Sequence, residues 1–236
     1  MTTLQIVAYF FNEIMRSDKK RAQQVFSRLE KEYPKARIIL KYSNNFELLV
    51  SVILSAQTTD KQVNKVTAKL FKKYKTIRDY AQADLEQLQK DIRSIGLYNN
   101  KAKYIQGSAV MILNKYGGKV PDTMEKLICL PGVARKTANI VLGNAFDKFE
   151  GVAVDTHVKR LSNRLGFSQE DNPEKIERDL MKLFINKQWF KLTYLLIEHG
   201  RAICQAKKPK CSKCVVNKLC PSAVLGNSSQ NRHFET

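Results

Sequence analysis

The chain has 236 residues, 43% hydrophobic and 27% charged, a composition that supports a buried core and excludes a chain that is disordered throughout. Its 41 Lys and Arg residues outnumber the 22 Asp and Glu residues, which gives a net charge of +19. Because charge of one sign opposes compaction, this excess points to a polyanionic partner, either nucleic acid or an acidic membrane face. No run of about 18 apolar residues is present, which argues against a membrane-spanning helix.

Residues 1–15 are apolar enough to resemble a signal peptide, but they lack a basic start. Asn12 and Glu13 also interrupt the apolar run before any small-residue cleavage site. We therefore expect a short additional helix here, in a cytoplasmic protein.

Apolar residues at three- and four-residue spacing predict helices through most of the chain, with no series of alternating strands. The apolar run at 46–54 fits a buried helix better than a strand. Further helices are predicted after Asp60, from Asp84 to Gly96, from 102 to Gly117-Gly118, from Asp122 to Pro131, from about Arg135, from Asn172-Pro173, and over 189–203. The chain is therefore predicted to be all-α.

Two segments that lie 36 residues apart, 96–105 and 132–141, share one pattern. Each indicates a helix, a tight glycine turn and a second helix, although the match is too short for a repeat array. Two such hairpins in a basic chain suggest phosphate binding.

The second of these hairpins lies in the segment 130–138, which reads LPGVARKTA. Pro131 and Gly132 end one helix, and the next begins at about Arg135. Backbone N–H groups in the turn, with the positive end of the second helix, would bind one phosphate without reading sequence. An ordinary turn between helices is the alternative.

Lys136 lies in the first turn of that second helix. The positive helix end and the neighbouring Arg135 are both expected to favour a neutral amine, which is a nucleophile able to form a Schiff base. A solvated surface lysine is the alternative, because lysine is abundant in this chain.

The segment 154–157 reads VDTH, between an apolar stretch and a helical pattern. Asp155 is most simply a helix N-cap, or else a carboxylate at the edge of a cleft that takes a proton or stabilises positive charge. His157 has no second histidine at ligand spacing and is expected to be structural or to contact DNA.

Cys204, Cys211, Cys214 and Cys220 have the spacing C-x6-C-x2-C-x5-C. Four thiolates in one short segment can enclose a tetrahedral metal ion or a cubane iron–sulfur cluster. Only one C-x2-C pair is present, and this spacing suits the larger iron–sulfur cluster better than a single metal ion. Cys129 stands apart and is expected to be a core thiol, as Leu127 and Ile128 are expected to face inward. Lysines within the segment, including Lys213, suggest phosphate contact, or else a solvated basic loop.

The segments 130–138 and 154–157, together with the cysteine spacing, resemble the endonuclease III family. This is a family of DNA glycosylases with AP lyase activity in the helix–hairpin–helix superfamily. Residues 54–60 and 95–101 are similar to its two DNA-probing loops. The resemblance extends from about residue 20 to residue 221.

The resemblance implies a role for each matching residue. Lys136 would attack C1′ of the damaged nucleotide, and Asp155 would assist departure of the base. Gln57 and Leu97 would insert into the space left by the extruded base. Other DNA contacts would come from Gly132, Ala134, Arg135, Thr137, Lys207, Lys208 and Lys210. The family usually has a glycine at the position of Ala134, so a positive φ there would cost about 1 kcal/mol.

The implied fold is all-α, with a six-helix domain at 38–148 and a cluster domain at 1–37 plus 149–236. The tail after about 222 is polar, and we expect it to be disordered. The four cysteines would hold a [4Fe–4S] cluster. The implied enzyme removes oxidised pyrimidines from double-stranded DNA and cleaves 3′ to the abasic site by β-elimination. It is expected to be a monomer in the bacterial cytoplasm, associated with the nucleoid and not with a membrane.

Two other functions fit part of this pattern. An adenine-mismatch glycosylase shares the cysteine spacing, but that family lacks a lysine at the position of Lys136 and carries a further C-terminal domain. This chain ends 16 residues after Cys220. A non-catalytic DNA-binding or electron-transfer protein that uses the cluster is the other alternative.

Overall fold

The computed structural model describes residues 3–223, with side chains from residue 17 onward. Over these residues the chain is helical and contains no β-strand, which confirms the predicted all-α class. It divides into two compact units. The continuous unit is residues 37–153, and the split unit combines the described residues of 1–36 and 154–236. That these units are the two domains implied by the resemblance stays a prediction.

Eleven α-helices and two short 3₁₀ helices make up the described part of the chain. The continuous unit contains α2 (Asn45–Ser55), α3 (Asp60–Lys73), α4 (Ile77–Ala81), α5 (Leu85–Asp91), α6 (Tyr98–Tyr116), α7 (Met124–Leu127) and α8 (Arg135–Phe146). The split unit contains α1 (Thr3–Glu32), α9 (Thr156–Arg164), α10 (Pro173–Leu183), α11 (Asn186–Ala202) and the 3₁₀ helices Cys211–Lys213 and Asn217–Leu219. None of these helices is both long and apolar enough to cross a bilayer.

The core of the continuous unit forms around α2. Every residue from Leu48 to Leu54 is buried, which confirms the prediction of a buried helix. Asn44 caps its N-terminus by accepting the Glu47 N–H at 2.9 Å. Because α2 packs against α3, α6 and α8, it fixes the positions from which the turns of this unit project.

The split unit forms around α11, which packs against α1, α9 and α10. Residues 204–220, here named the cysteine segment, follow it. Two arginines of α1 hold the chain around this segment: Arg21 donates to the Leu165 carbonyl, and the Arg28 Nη1 donates to the Val215 carbonyl at 3.2 Å. The first helix of the unit therefore supports its last segment.

Several predicted helix starts are shifted. Asp60 is the first residue of α3, and the N-cap is Thr59, whose hydroxyl accepts the Gln62 N–H at 3.3 Å. Likewise α7 begins at Met124 rather than Asp122, and α11 begins three residues before the predicted 189. In contrast, the start of α10 is confirmed, because the sequence supplies both a capping Asn172 and a proline at the first helical position.

The predicted end of α5 at Gly96 is wrong, since the helix ends at Asp91. Beyond it the Ile95 N–H donates to the Ile92 carbonyl at 2.9 Å, so the chain tightens into a short turn. Ile92 and Ile95 are still buried, because the turn directs both side chains inward. By contrast, α6 ends at the predicted Gly117, with φ of +58°.

Ile128 and Cys129 are exposed, contrary to the prediction that they face the core. The helix α7 has only four residues, so the chain beyond it does not continue its buried face. Leu127 is buried as predicted, whereas Ile128 is 49% exposed. The Cys129 thiol donates to the Glu125 carbonyl at 3.1 Å and is exposed.

The two ends of the chain are described only in part. The helix predicted at 1–15 is confirmed for the backbone from Thr3, but it belongs to the single helix α1 and is not a separate short helix. The side chains of residues 1–16 and all of residues 224–236 lie outside the described part, and so does most of the tail predicted to be disordered.

Candidate active site and cysteine cluster

The hairpin between α7 and α8 lies tightly against α6. Gly132 has φ of +75°, and a Cβ added there would lie 2.6 Å from Cδ2 of Tyr104. The Ser108 hydroxyl of α6 donates to the Pro131 carbonyl at 3.0 Å. Both the left-handed backbone and the close approach therefore require glycine at position 132.

Ala134 is not strained. Its φ is −86° and its ψ is 170°, which is extended backbone open to any residue, so the cost considered for a positive φ does not arise. Ala134 is the N-cap of α8, and it offers no side-chain hydrogen bond to the helix. The first N–H groups of α8 are thus left without a side-chain cap, as an anion-binding helix end requires.

The side chains at the start of α8 differ in their burial and in their hydrogen-bond partners. The Arg135 Nη2 donates to the Glu150 carbonyl at 3.3 Å, and Thr137 is half-buried. Lys136 is exposed and has no hydrogen-bond or ion-pair partner among the described residues of the continuous unit. Its amine is therefore accessible to a ligand.

Asp155 is the N-cap of α9, as the simpler interpretation predicts. Its Oδ1 accepts the Val158 N–H at 2.8 Å, and the residue is half-buried. Capping fixes the position of the carboxylate at the N-terminus of α9. A carboxylate held in this way keeps its second oxygen for other contacts.

His157 packs inside the split unit against α11. Its Nδ1 lies 3.1 Å from Nη2 of Arg160, and a Cβ added at Gly200 would lie 2.9 Å from the same nitrogen. Arg160 in turn donates to the Gly200 carbonyl at 3.1 Å. These contacts agree with the structural role considered for His157.

Gln57 and Leu97 share an uncommon backbone. Their φ values are +54° and +59°, the left-handed region that side chains rarely adopt. Both residues are exposed, and Leu97 is 58% exposed despite being apolar. A left-handed backbone conformation costs free energy in residues other than glycine, and exposed residues that adopt it are commonly functional. The structure therefore presents both residues that the resemblance singles out.

Lys101, a residue that the sequence reasoning missed, lies beneath these two turns. Although it is 3% exposed, its ammonium has no carboxylate partner in the described part of the chain. Nζ donates to the carbonyls of Leu54, at 2.9 Å, and Ala56, and to the Thr58 hydroxyl at 3.3 Å. Burial lowers the pKa of Lys101. No local sequence signal distinguishes it from the exposed lysines of the same helix.

The four cysteines of the cysteine segment come together. All of them are free thiols that line one cavity of about 550 Å³ in the split unit. Among the described residues, no group of three or more His, Cys, Asp or Glu is placed to hold a metal ion. Four cysteine thiols around one cavity are nevertheless the donor type that a metal ion or an iron–sulfur cluster requires.

Two side chains contact the sulfur atoms from the cavity wall. The Arg164 Nη1 lies 3.4 Å from Sγ of Cys204, and the His199 Nε2 lies 3.3 Å from Sγ of Cys214. Burial raises the pKa of the Cys214 thiol and lowers the pKa of His199 to about 4. Nδ1 of His199 is 3.0 Å from the Tyr33 hydroxyl, which orients the imidazole.

The basic part of the cysteine segment faces solvent. Lys207, Lys208, Lys210 and Lys213 are all exposed. Of these, Lys210 donates to the Ala202 carbonyl at 3.4 Å. The segment thus presents a positive surface beside the cavity that its cysteines line.

Residues 50–185 match the family described as HhH-GPD superfamily base excision DNA repair protein. Endonuclease III of Synechocystis sp. is 49% identical over 209 residues, which covers 89% of this chain and 95% of that protein. The chain belongs to the endonuclease III family. The endonuclease III of Bacillus subtilis is 48% identical over 189 residues, which covers 80% of this chain and 86% of that protein.

Solved structures agree with this endonuclease III assignment. A trapped endonuclease III–DNA covalent intermediate and a non-covalent endonuclease III–DNA complex each have a TM-score of 0.83 and 45% identity. Each match covers 87% of this chain and 96% of the other. A thermostable thymine-DNA glycosylase has a TM-score of 0.77 at 28% identity. The resemblance and its helical fold are therefore confirmed, whereas the roles of single residues remain predictions.

Proposed function

We propose that this endonuclease III family chain is a base-excision DNA glycosylase and AP lyase whose nucleophile is Lys136. The observation that carries the proposal is the accessible, unpaired amine of Lys136 in the first turn of α8, directly after a hairpin that only glycine can form. A relative that is 45% identical has been solved as a trapped covalent intermediate with DNA, which supports nucleophilic chemistry.

The Lys136 amine attacks C1′ of the flipped nucleotide. A bond forms between Nζ and C1′, the bond from C1′ to the base breaks, and the base leaves with the electron pair. The nitrogen then loses a proton and forms a double bond to C1′ as the C1′–O4′ bond breaks and O4′ takes up a proton, which gives a protonated imine. A base removes a proton from C2′, and the electrons of that C–H bond pass into the imine to give an enamine. The enamine electrons form the C2′–C3′ double bond as the C3′–O bond breaks, and the 3′ phosphate leaves with the electron pair of that bond. Asp155 assists departure of the base and stabilises the developing positive charge.

The nucleotide must leave the duplex before the amine can reach it, at a cost of a few kcal/mol in lost stacking. Gln57 and Leu97 offset this cost by filling the vacated space. The uncapped N–H groups of α8 bind one phosphate beside Gly132 and Ala134. Remaining backbone contacts come from Arg135, Thr137, Lys207, Lys208 and Lys210. The proposed substrates are oxidised pyrimidines in double-stranded DNA.

The four cysteines would hold a [4Fe–4S] cluster. The cavity that they line, and the contacts of Arg164 and His199 with their sulfur atoms, support this assignment. Such a cluster would cross-link the cysteine segment and so stabilise the fold of the split unit. The chain itself is proposed to act as a monomer in the bacterial cytoplasm, bound to the nucleoid.

Borohydride trapping on an abasic duplex tests the nucleophile. The unmodified protein should give a covalent protein–DNA adduct, because borohydride reduces only an imine intermediate. Lys136→Ala should give no adduct while it retains DNA binding. Lys115→Ala, which removes an exposed lysine near the end of α6, is the matched control and should trap normally.

An unchanged yield of adduct from Lys136→Ala would exclude Lys136 as the nucleophile. DNA binding without any adduct from the unmodified protein would instead favour a non-catalytic DNA-binding protein. For the cluster, a purified protein that is colourless and contains zinc would contradict the iron–sulfur assignment.

A further inference from the structure

We infer that Lys101 is a positioning residue that holds the Gln57 turn (residues 55–59) and the Leu97 turn (residues 92–97) together as one wedge. The inference rests on the proposed function, because the wedge acts on DNA. It concerns how the two left-handed residues are kept in place before DNA arrives.

The side chain of Lys101 closes the end of α2. The last carbonyls of a helix have no partner within the helix, and they carry its negative partial charge. The Lys101 ammonium binds two such carbonyls, those of Leu54 and Ala56. It also binds the Thr58 hydroxyl one residue beyond Gln57. The chain is therefore held on both sides of the left-handed residue.

The backbone of Lys101 holds the other turn. Its N–H donates to the Leu97 carbonyl at 3.1 Å, which makes Leu97 the N-cap of α6. The two turns also touch directly, because a Cβ added at Gly96 would lie 3.6 Å from the Gln57 carbonyl oxygen. A single residue thus binds both turns, one through its side chain and the other through its main chain.

Burial of the Lys101 ammonium costs free energy, which its polar contacts must offset. An ammonium removed from water requires polar partners, and here all three are neutral oxygens, those of Leu54 near the end of α2 and of Ala56 and Thr58 in the Gln57 turn. A second contact links the neighbouring helix α3 to the Leu97 turn, since the Gln62 Nε2 donates to the Ser94 hydroxyl at 2.7 Å. Because the left-handed conformations are unfavourable alone, the surrounding contacts must impose them.

Lys101→Met tests the inference, because it keeps the length of the side chain and removes the ammonium. The substrates are a duplex with one thymine glycol beside 2-aminopurine and the same duplex with an abasic site. Cleavage of the thymine glycol duplex and the rise in 2-aminopurine fluorescence should fall roughly ten- to a hundredfold, as expected for a misplaced positioning group. Cleavage at the abasic site should fall less, since no base has to be extruded. Lys115→Met is the control for loss of one charge on the same helix.

A double-mutant cycle separates positioning from general loss of stability. In a background that already carries Gln57→Ala and Leu97→Ala, Lys101→Met should reduce base extrusion little further, because the wedge is already lost. Amide hydrogen exchange of the free protein should also become faster in the Gln57 turn, which the ammonium binds, and not in α8. Additive effects on extrusion, or unchanged exchange in the Gln57 turn, would overturn the inference.

Should Lys101→Met not fold, Thr58→Val removes one acceptor and leaves two. It should change extrusion in the same direction but by a smaller factor, and a full wild-type rate would contradict the inference. Failure of the proposed function gives a different result, namely no imine adduct from the unmodified protein. If the unmodified protein forms the adduct and the Lys101→Met and Lys115→Met variants give the same results in every assay, the role inferred for Lys101 is wrong and the proposed function still holds.

Discussion

The turns before α6 and α8 have similar sequences, yet they place their lysines in opposite surroundings. Lys101 and Lys136 both lie in the first turn of a helix that follows a glycine turn. Lys101 is 3% exposed and bound by three oxygens, whereas Lys136 is exposed and free within its unit. Lysines near the starts of two helices therefore have opposite surroundings, and only Lys136 is accessible for the chemistry proposed for it.

The same substitution at both lysines should give the largest contrast. Lys136→Met should lower strand cleavage at an abasic site by at least about a thousandfold, because it removes the nucleophile. Its free energy of unfolding should stay within about 0.5 kcal/mol of wild type, as for other exposed residues. Lys101→Met should lower the free energy of unfolding by about 1–3 kcal/mol, since it leaves buried carbonyls without a donor. Denaturant unfolding and gel-based cleavage measure the two quantities, and equal unfolding of both variants would contradict the contrast.

The hairpin before α8 differs from the Gln57 turn and the Leu97 turn in how it reaches left-handed backbone, by glycine at 132 in place of the side-chain-bearing residues at 57 and 97. Gly132→Ala should lower the free energy of unfolding by about 2 kcal/mol or more, because it adds both backbone strain and a clash with Tyr104. Gly117→Ala is the matched control, since its φ is +58° but no atom lies within 4 Å of the added carbon. The control should cost only about 1 kcal/mol, the strain alone. Similar losses for both variants would argue against the close packing of the hairpin.

Asp91, the last residue of α5, lies directly before the Leu97 turn and accepts hydrogen bonds from Lys73 and Tyr74 at the end of α3. Burial acts to raise the pKa of Asp91, but hydrogen bonds from Lys73, Tyr74 and Gln87 outweigh it and hold the pKa below its usual value. A lowered pKa in the folded state adds stability that is present above the unfolded pKa and lost as pH falls through the folded pKa. Asp91→Asn should therefore lower the free energy of unfolding by about 1 kcal/mol at pH 7.

The difference between Asp91→Asn and wild type should begin to shrink as the pH falls below about 4, where the carboxylate of the unfolded chain takes up a proton. It should shrink further until the pH passes the lower pKa of the folded state. Unfolding in denaturant at pH 7 and at pH 3 measures the change. A difference that is constant between these two pH values would show that the charge of Asp91 does not contribute.

The smallest expected effect on stability comes from Leu97→Gly. Glycine relieves the left-handed backbone but loses more freedom on folding, so the two effects nearly cancel and the free energy of unfolding should change by no more than about 0.5 kcal/mol. Base extrusion, read from 2-aminopurine fluorescence, should nevertheless fall, because the exposed side chain is gone. Normal base extrusion by the Leu97→Gly variant would show that Leu97 is not part of the wedge.

Features encoded by a few adjacent residues could be predicted from the sequence. The buried helix at 46–54, the start of α10 at Asn172-Pro173 and the end of α6 at Gly117 all depend on local chemistry, and all are confirmed. The endonuclease III resemblance was also visible, because its motifs are short and specific. The family motifs identified Gln57 and Leu97 as residues that insert into DNA, although neither residue type requires a positive φ.

Features that depend on distant contacts could not be predicted. The burial of Lys101 requires the end of α2, which lies more than 40 residues earlier. The exposure of Ile128 and Cys129 depends on the short length of α7, which apolar spacing does not reveal. Asp155 illustrates both cases: its capping bond is local and was predicted, whereas its chemical role remains a proposal.

The arginine contacts of α1 have a consequence for how the protein forms during synthesis. Residues 37–153 are one uninterrupted stretch, so this part can close its core while the ribosome is still translating the rest of the message. The helix α1 is synthesised first but cannot form these contacts until later, because the carbonyls that Arg21 and Arg28 bind belong to residues 165 and 215. The earliest residues to leave the ribosome are thus among the last to reach their final partners.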